Sequence, residues 1–306
     1  MPARKKGLGR RLVAARYIYL LLLPGLVYYL IFCYIPMGGV VMAFQNYKAR
    51  LGIFGSPWVG LDNFRRIFIT PRATDAILNT LRISFCSILF TFPEPIILAL
   101  LINEMKGRRV KKIYQTIYTF PHFLSWIVIS SILINLLSTN GAVNGMLERM
   151  GLAPKPFLSS SALARPLLYA SGCWKEMGWS SIVYLAVISG IDPALYEAAM
   201  IDGANRMQRI RYITLPAMKE IIIILLILAV GGVMNSNFDQ VYTLRNNVTQ
   251  AAVDTIDVYV YDITFGGKPS YSFSTAVGLF KAVINFALLF MTERFSKLVT
   301  GQGIFR

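Results

Sequence analysis

Few side chains in this sequence have the type and spacing that catalysis requires. The nearest approach to a phosphate-binding loop is Gly267-Lys268, but Pro269 follows it and Asp262 occupies the position of the first glycine. The sequence contains a single histidine, His122, and neither a Gly-x-Ser-x-Gly nor a His-Glu-x-x-His motif. We therefore expect no ATP site, no metal site and no bound cofactor in this chain. The energy for any active process must then come from another chain.

Polar residues inside apolar stretches are stronger candidates, because ionisable groups at membrane depth are costly and often functional. Glu94 lies between two prolines in the sequence Phe92-Pro93-Glu94-Pro95, which predicts a kinked helix with a carboxylate at the kink. Lys281 and Asn285 are four residues apart and share one helical face. We predict that these three residues line an aqueous pathway. Purely structural roles, in the kink and in helix packing, are the alternatives.

A second group of candidates comprises Trp174, Lys175 and Trp179. The two tryptophans could stack on the apolar faces of a sugar, or they could anchor a membrane interface. Lys175 and Glu176 are neighbours in sequence, so on a helix they point about 100° apart and need not form a pair. We predict a place in the substrate pathway for Lys175 and both tryptophans.

The last candidates for the pathway follow a glycine pair at 231–232. Asn235, Asn237 and Asp239 alternate there with Ser236 and Phe238. A run of amides and a carboxylate is poorly suited to hydrocarbon, which offers no hydrogen-bond partners. We predict that these three side chains border a water-filled path.

The longest connection on the side that we expect to be cytoplasmic runs over 192–220. Asp192-Pro193 supplies an N-cap followed by proline at the first helical position. We predict a short helix over about 194–206 with small residues along one side, and Leu215-Pro216 at the start of the next span. A surface loop without further function is the alternative.

This connection carries a recognisable signature. The order Glu197-Ala198-Ala199, three residues, Gly203, nine residues, Ile213-x-Leu215-Pro216 resembles the EAA motif of the membrane subunits of ABC importers. Other stretches resemble the carbohydrate branch of that family, the permeases similar to the maltose-type inner-membrane pair: VMAFQNYK from Val41, GSPWVGLDNF from Gly55, GCWKEMGWSSIVYLA from Gly172 and FDQVYTL from Phe238.

The resemblance implies a fold, partners and residue roles. It implies the type I ABC importer (MetI-like) transmembrane domain in a bacterial cell membrane, with a second homologous permease, two cytoplasmic ATPase subunits that bind ATP and Mg²⁺, and an extracytoplasmic solute-binding protein. The substrate would be an oligosaccharide, and no nucleic acid is involved. The helix with the EAA motif would couple the permease to an ATPase through Glu197, Ala198, Ala199 and Gly203, flanked by Arg206 and Arg209.

Composition and hydropathy agree with a polytopic, all-α membrane protein. Of 306 residues, 55% are hydrophobic and 15% are charged, and the mean hydropathy is +0.54, which excludes an ordinary soluble domain. Apolar segments long enough to cross a bilayer core of about 30 Å predict six spans, over 17–44, 76–103, 113–137, 163–189, 221–238 and 274–291.

Charge bias predicts the orientation. The segments on one side carry 18 Lys and Arg against 9 on the other, so both termini are expected in the cytoplasm. We divide the chain into a basic tail (1–16), a first span with an outer loop (17–75), the ABC transporter domain (76–296) and a second tail (297–306).

Other functions remain open from the residues alone. A secondary transporter driven by an ion gradient would use charged membrane residues, but it does not account for the EAA spacing. A structural membrane protein leaves the polar residues at 235–239 unexplained, and a permease for a solute other than a sugar is also compatible.

Overall fold

A computed structural model describes residues 15–300, except the side chains of residues 295, 296 and 298–300. Within that range the chain is helical, apart from connecting turns and one isolated antiparallel bridge between Gln45 and Trp58. Among the described residues, five helices are long and apolar enough to cross a membrane. The Ser161–Ser189 helix supplies a sixth candidate when it is taken with Pro193–Ile201, which is bent from it by 71°. The predicted all-α, six-span architecture is confirmed, while residues 1–14 and 301–306 of the predicted tails lie outside the described range.

The spans keep the predicted order. Their bounds are Arg16–Phe44, Pro71–Glu104, Arg108–Thr119 with Trp126–Leu137, Ser161–Ser189, Arg206–Gly231 and Tyr271–Thr300. Shorter helices lie between them: Gly52–Gly55, Asp62–Ile69, Ala142–Arg149, Pro193–Ile201, Phe238–Leu244, Gln250–Val253 and Ile256–Phe265.

The first span stands largely apart from the others. No residue of its Arg16–Tyr29 portion is buried, while its last turns, Gly38–Phe44, pack against the sixth span. A helix that is apolar on all sides requires an apolar environment beyond its own chain.

The second span has the predicted interruption. Its two helices, Pro71–Thr91 and Pro93–Glu104, meet at Phe92. The backbone of Phe92 keeps helical angles, φ −80° and ψ −45°, so the prolines remove hydrogen bonds without ending the span.

The third span is not the continuous helix that the sequence predicts over 113–137. A helix over Arg108–Thr119 is followed by a 3₁₀ turn, and a new helix begins at Trp126. Pro121 lies in this turn, where it lacks an amide hydrogen and its ring would clash with a helical carbonyl four residues earlier. Ser125 caps the new helix by accepting a hydrogen bond from the amide of Val128.

The fifth span begins well before the predicted position 221. It starts at Arg206, because Asn205 and Gln208 form a reciprocal capping box. A π turn precedes Leu215-Pro216 and changes the regular α-helical hydrogen-bond pattern there. Pro216 has no amide hydrogen to donate, and it lies directly after this change in the pattern. The Leu215-Pro216 pair therefore lies inside the helical run and does not start it.

The helix with the EAA motif, here called the EAA helix, is shorter than the predicted 194–206. It covers Pro193–Ile201, and the Asp192 side chain caps it by accepting a hydrogen bond from the Ala194 amide at 2.9 Å. Gly203 follows with φ +79°, a left-handed conformation that glycine adopts without strain. The chain turns there, which ends this helix and leads into the fifth span.

Buried side chains form separate clusters at the two ends of the bundle. Near the EAA helix, Ala99, Tyr184, Ile188 and Met218 join the second, fourth and fifth spans. At the opposite end, here called the far end, a cluster unites the short helices with the second and sixth spans: Ile67, Ala73, Ala76, Met234, Ile256, Tyr259, Phe273 and Val277. Close packing supplies the attraction between helices that hydrocarbon surroundings do not.

Candidate functional site

A polar groove lies between the second, fourth and fifth spans. It consists of two adjoining cavities of about 280 Å³ and about 270 Å³. Ile88, Thr91, Ser180 and Ala229 belong to the walls of both cavities, so the two cavities are direct neighbours.

Hydroxyl groups line the groove in regular rows. On the second span, Ser84, Ser87 and Thr91 follow one another at intervals of three and four residues. On the fourth span, Glu176 and Ser180 are one turn apart and both line the larger cavity. The sequence analysis did not select these hydroxyl residues or Glu176 for the pathway, although their helical spacing was a readable signal.

The end of the fifth span contributes amides to the same cavity. The span ends at Gly231, not at the predicted 238, and Asn235 and Asn237 of the following turn line the larger cavity. Asn235 accepts a hydrogen bond from the Asn285 amide group at 3.1 Å. Gln240, which the sequence analysis did not select, also lines the cavity and donates to the carbonyl of Leu168 at 2.7 Å.

Lys281 and Asn285 support this turn from the sixth span. Asn285 accepts a hydrogen bond from the backbone amide of Met234 at 3.2 Å. The ammonium of Lys281 lies 2.5 Å from a carboxylate oxygen of Asp257, whose other oxygen accepts a hydrogen bond from Ser236 at 3.1 Å. Neither Lys281 nor Asn285 belongs to the cavity walls, and both hold the residues beside it.

Three further predicted pathway residues are not among the residues that line the two cavities. Glu94 is half-buried at the interruption of the second span. Asp239 is exposed, and its backbone carbonyl accepts a hydrogen bond from Thr243. Trp174 is 45% exposed on the fourth span. The structure therefore does not bring these three residues together with Asn235 and Asn237.

Lys175 is buried against the break in the third span. It is 6% exposed, and its ammonium donates to the backbone carbonyls of His122 at 2.6 Å, Leu124 at 2.9 Å and Pro121 at 3.4 Å. The helix is interrupted here, and the Pro121 carbonyl also accepts a hydrogen bond from the amide of Leu124 at 3.1 Å. Lys175 thus completes the hydrogen bonding of the break.

Trp179 lines the smaller cavity and is 46% exposed. Its indole ring stacks on the ring of His122, with centroids 4.5 Å apart and planes 2° from parallel. The Nδ1 atom of His122 lies 2.8 Å from Oε2 of Glu176. The break in the third span therefore places the single histidine between two residues of the groove wall.

The EAA helix presents an exposed surface at its own end of the bundle. Glu197 and Ala198 are exposed, and Ala199 is half-buried. The apolar side chain of Ile201 is 87% exposed. The Tyr196 hydroxyl joins that of Thr214 at 2.9 Å, which ties this helix to the fifth span. A displacement of the EAA helix can therefore reach the fifth span through a direct contact.

Arg206 and Arg209, the predicted flanking residues, form the first turn of the fifth span. Arg206 is exposed, and its Nε lies 4.0 Å from Oε2 of Glu104 at the end of the second span. Leu215 is half-buried and Pro216 is exposed. All the predicted coupling residues thus lie at one end of the bundle.

A network of ion pairs closes the far end. Arg245 donates to Asp254 at 3.0 Å and to Asp262 at 2.8 and 3.0 Å, and Arg72 of the second span pairs with both carboxylates. The hydrogen bonds with Asp262 are the main cause of the raised pKa of Arg245. Burial by itself would raise the pKa of Asp262, but the two arginines outweigh it and lower that pKa. Asp254 and Asp262 are thus both ion-paired with arginines.

The described residues contain no group of three or more His, Cys, Asp and Glu side chains arranged to hold a metal ion.

Comparisons with known proteins agree with this geometry. A family model described as binding-protein-dependent transport system inner membrane component matches residues 95–301. The chain is 41% identical to the polygalacturonan/rhamnogalacturonan transport system permease protein YteP of Bacillus subtilis over 304 residues, which are 99% of this chain and 94% of that relative.

Two solved structures are also similar. One is a bacterial ABC transporter involved in the import of the acidic polysaccharide alginate, with a TM-score of 0.88, 38% identity and coverage of 96% of this chain and 99% of that chain. The other is a bacterial alginate ABC transporter in complex with an alginate pentasaccharide-bound periplasmic protein, with a TM-score of 0.89, 37% identity and coverage of 98% and 100%. These likenesses confirm the predicted resemblance and the fold that it implies.

Proposed function

Because this chain belongs to the family of inner membrane components of binding-protein-dependent transport systems, we propose that it is the permease subunit through which an ATP-driven importer moves an acidic oligosaccharide. The chain is a multi-pass protein of the inner membrane. The acidic class of substrate is inferred from relatives named for polygalacturonan and alginate.

The polar groove between the second, fourth and fifth spans carries this proposal. Hydroxyl, amide and carboxylate groups at membrane depth are costly unless they find hydrogen-bond partners. A saccharide supplies many hydroxyl groups that can act as such partners, and its C–H faces match an exposed tryptophan such as Trp179. A second, homologous permease completes the pathway in this proposal.

Transport in this proposal is powered by other subunits. Two ATPase subunits bind ATP and Mg²⁺, and this chain is not an enzyme. The EAA helix docks in a cleft of one ATPase subunit through Glu197, Ala198, Ala199 and Gly203. Closure of the ATPases moves this helix, and the contact between Tyr196 and the fifth span transmits the movement to the groove. An extracytoplasmic binding protein delivers the saccharide from outside.

The proposal is tested by uptake of a labelled short oligogalacturonide by the complete transporter in cells. We expect uptake that requires ATP and resists a proton uncoupler. Gly203→Trp should abolish uptake, because the position faces open space where a partner can approach and a side chain at φ +79° is strained. Gly267→Trp, at an open position at the far end, is the control for added bulk.

Two results would contradict the proposal. Uptake that collapses with the uncoupler while ATP is maintained would indicate a gradient-driven transporter. Normal uptake and ATPase stimulation by the Gly203→Trp variant would remove the docking role of the EAA helix.

A further inference from the structure

The helix that opens the third span carries its charge at the electrostatically unfavourable end. Arg108–Thr119 begins with Arg108, Arg109, Lys111 and Lys112, and no acidic residue lies in its first turn. The N-terminus is the positive pole of a helix dipole, so it repels cations and attracts anions. Charge bias between the two sides of the membrane accounts for basic residues at this end, but it does not offset the repulsion. An anion from outside the chain would offset it.

One of these four cations is occupied inside the protein. Lys111 is half-buried, and its ammonium donates a hydrogen bond to the carbonyl of Asn103 at 2.6 Å. The carboxylate of Glu104, at the end of the second span, lies 4.0 Å from Arg206. Within the part of the chain that the structure describes, no hydrogen bond or ion pair engages the other three side chains, which are exposed: Arg108, Arg109 and Lys112.

Two of the unpaired cations head an open trough on the exposed side of the helix. The trough has a volume of about 400 Å³. Its lining residues recur at intervals of three and four and so share one helical face: Arg109, Lys112, Ile113, Thr116 and Ile117. A second trough of about 320 Å³ is its direct neighbour, because the wall of the second trough includes Thr116 together with Phe120 and Phe123. We call the two together the third-span trough.

The apolar side chains of this face point away from the bundle. Ile113, Ile117 and Phe120 are all more than half exposed. Tyr118 lies on the opposite side of the helix, where its backbone meets Gly178 of the fourth span. The third-span trough therefore faces the surroundings of the bundle and not its interior.

The length of the trough matches one leaflet of a bilayer. From Arg109 to Phe120 the helical rise is about 16 Å. A hydrocarbon core is about 30 Å thick, so one leaflet contributes about half of that. The trough thus has cations at its head and apolar side chains over the depth of one leaflet. This is the order of charge and hydrocarbon in a phospholipid that carries a negative headgroup.

We propose that the third-span trough binds an anionic phospholipid. Arg109 and Lys112 hold its phosphate, with Arg108 one turn from Lys112, and one acyl chain lies along Ile113 and Ile117. A guanidinium can bind phosphate oxygens through two parallel hydrogen bonds, and the bound anion compensates the positive start of the helix. A zwitterionic phospholipid fits less well, because its headgroup ammonium adds a cation to a site that already has three.

The test is fluorescence quenching inside the trough of the complete transporter in phosphatidylcholine vesicles. In a background without native cysteines, Thr116→Cys carries a bimane label in the wall that both troughs share. Brominated acyl chains are supplied on a minor fraction of either phosphatidylglycerol or phosphatidylcholine, and the quenching gives their relative association constant. One cation near the membrane surface favours an anionic lipid about fivefold, so two predict a preference for phosphatidylglycerol of about thirtyfold.

Matched substitutions isolate the contribution of the two cations. Arg109→Gln combined with Lys112→Gln should bring the relative association constant close to that of a neutral lipid. Arg109→Lys combined with Lys112→Arg keeps both charges and should keep most of the preference. Arg50→Gln combined with Lys268→Gln is the control for net charge, because it removes two exposed cations from loops of the far end. Glycerol 3-phosphate in large excess, which has the anion without acyl chains, should not relieve the quenching.

Every other outcome overturns the inference. Equal quenching by the two brominated lipids would mean that acyl chains contact the trough without a headgroup site. Quenching by neither lipid would mean that a protein neighbour, such as a second permease, covers this face. A preference that survives the two glutamine substitutions would place the lipid charge elsewhere. Relief by glycerol 3-phosphate would indicate a site for free phosphate esters. The measurement involves no transported solute, so its result is independent of the proposed function.

Discussion

Replacement of Lys175 tests whether a buried ammonium holds the third span in its broken form. Lys175→Met preserves the length of the side chain but removes every donor. The carbonyls of Pro121, His122 and Leu124 then lose the hydrogen bonds that Lys175 provides. Because these groups lie at a helix interruption, we expect the variant to be less stable and not selectively impaired in substrate affinity.

The magnitude follows from the hydrogen bonds that are lost. Two of them are short, at 2.6 and 2.9 Å, and hydrogen bonds that involve a charged group contribute about 1.5–3 kcal/mol each. Removal of a buried ammonium also recovers the free energy of its desolvation, which offsets part of the loss. We therefore expect a net destabilisation near the lower end of the combined range, about 3 kcal/mol, which corresponds to a fall in the unfolding midpoint of about 6–12 °C.

The assay is thermal unfolding of the purified transporter in detergent. Lys155→Met is the matched control, because Lys155 is exposed and its side chain makes no described hydrogen bond. The control should unfold at the wild-type temperature. The structural role would be refuted if Lys175→Met unfolds at the wild-type temperature but needs a higher substrate concentration for half-maximal uptake. That result would indicate that Lys175 acts in the substrate pathway.

Three further predictions concern packing, orientation and pH. Gly178→Ala forces a methyl group into the backbone of the third span and should sharply reduce the yield of folded protein. The control is Gly145→Ala, which should express normally because its methyl group meets open space. Equal yields of the two variants would contradict the close approach at Gly178. In a background without native cysteines, Lys106→Cys should resist an impermeant thiol reagent in intact cells and Gly267→Cys should react, because the basic excess predicts that position 106 lies in the cytoplasm. Reversed labelling would overturn the predicted orientation. The pKa of Asp262 is lowered in the folded state, so the ionised carboxylate stabilises the far end. This stabilisation is complete above the pKa of Asp262 in the unfolded chain, about 3.9. It is lost as the pH falls through the lower pKa of the folded state. Limited proteolysis should show that cleavage at the far end of the wild type increases only in acid, whereas the far end of Asp262→Asn is already cleaved at neutral pH. Identical pH profiles of cleavage for the two proteins would exclude a stabilising role for the Asp262 carboxylate.

Much of the architecture could be predicted because it depends on local patterns. Long apolar segments predict membrane spans whatever their neighbours are, since each span must satisfy its own backbone hydrogen bonds in hydrocarbon. The EAA spacing likewise lies within one continuous stretch, and the structure keeps Glu197, Gly203 and Pro216 at one end of the bundle. The two prolines around Glu94 predict an interruption because proline acts on its own helix.

The groove could be predicted only in part. Asn235 and Asn237, which we selected because amides are poorly suited to lipid, line it. Lys175 does not line it, although its charge gave the same reason for selecting it. A polar side chain in a span must find a partner, but its sequence position does not say whether that partner is a substrate or the backbone of another helix.

The tertiary structure decides this choice through the rotation and separation of neighbouring spans. The apolar sequence of the third span does not reveal the break at Pro121. An interrupted helix is stable only if another chain segment satisfies its free carbonyls, and the sequence of the span itself does not show whether such a segment is present. Lys175 and Gly178 of the fourth span provide that support, one through hydrogen bonds and the other through the absence of a side chain. The position of His122 beside Glu176 and Trp179 follows from these contacts between distant segments, and no local pattern in the sequence specifies it.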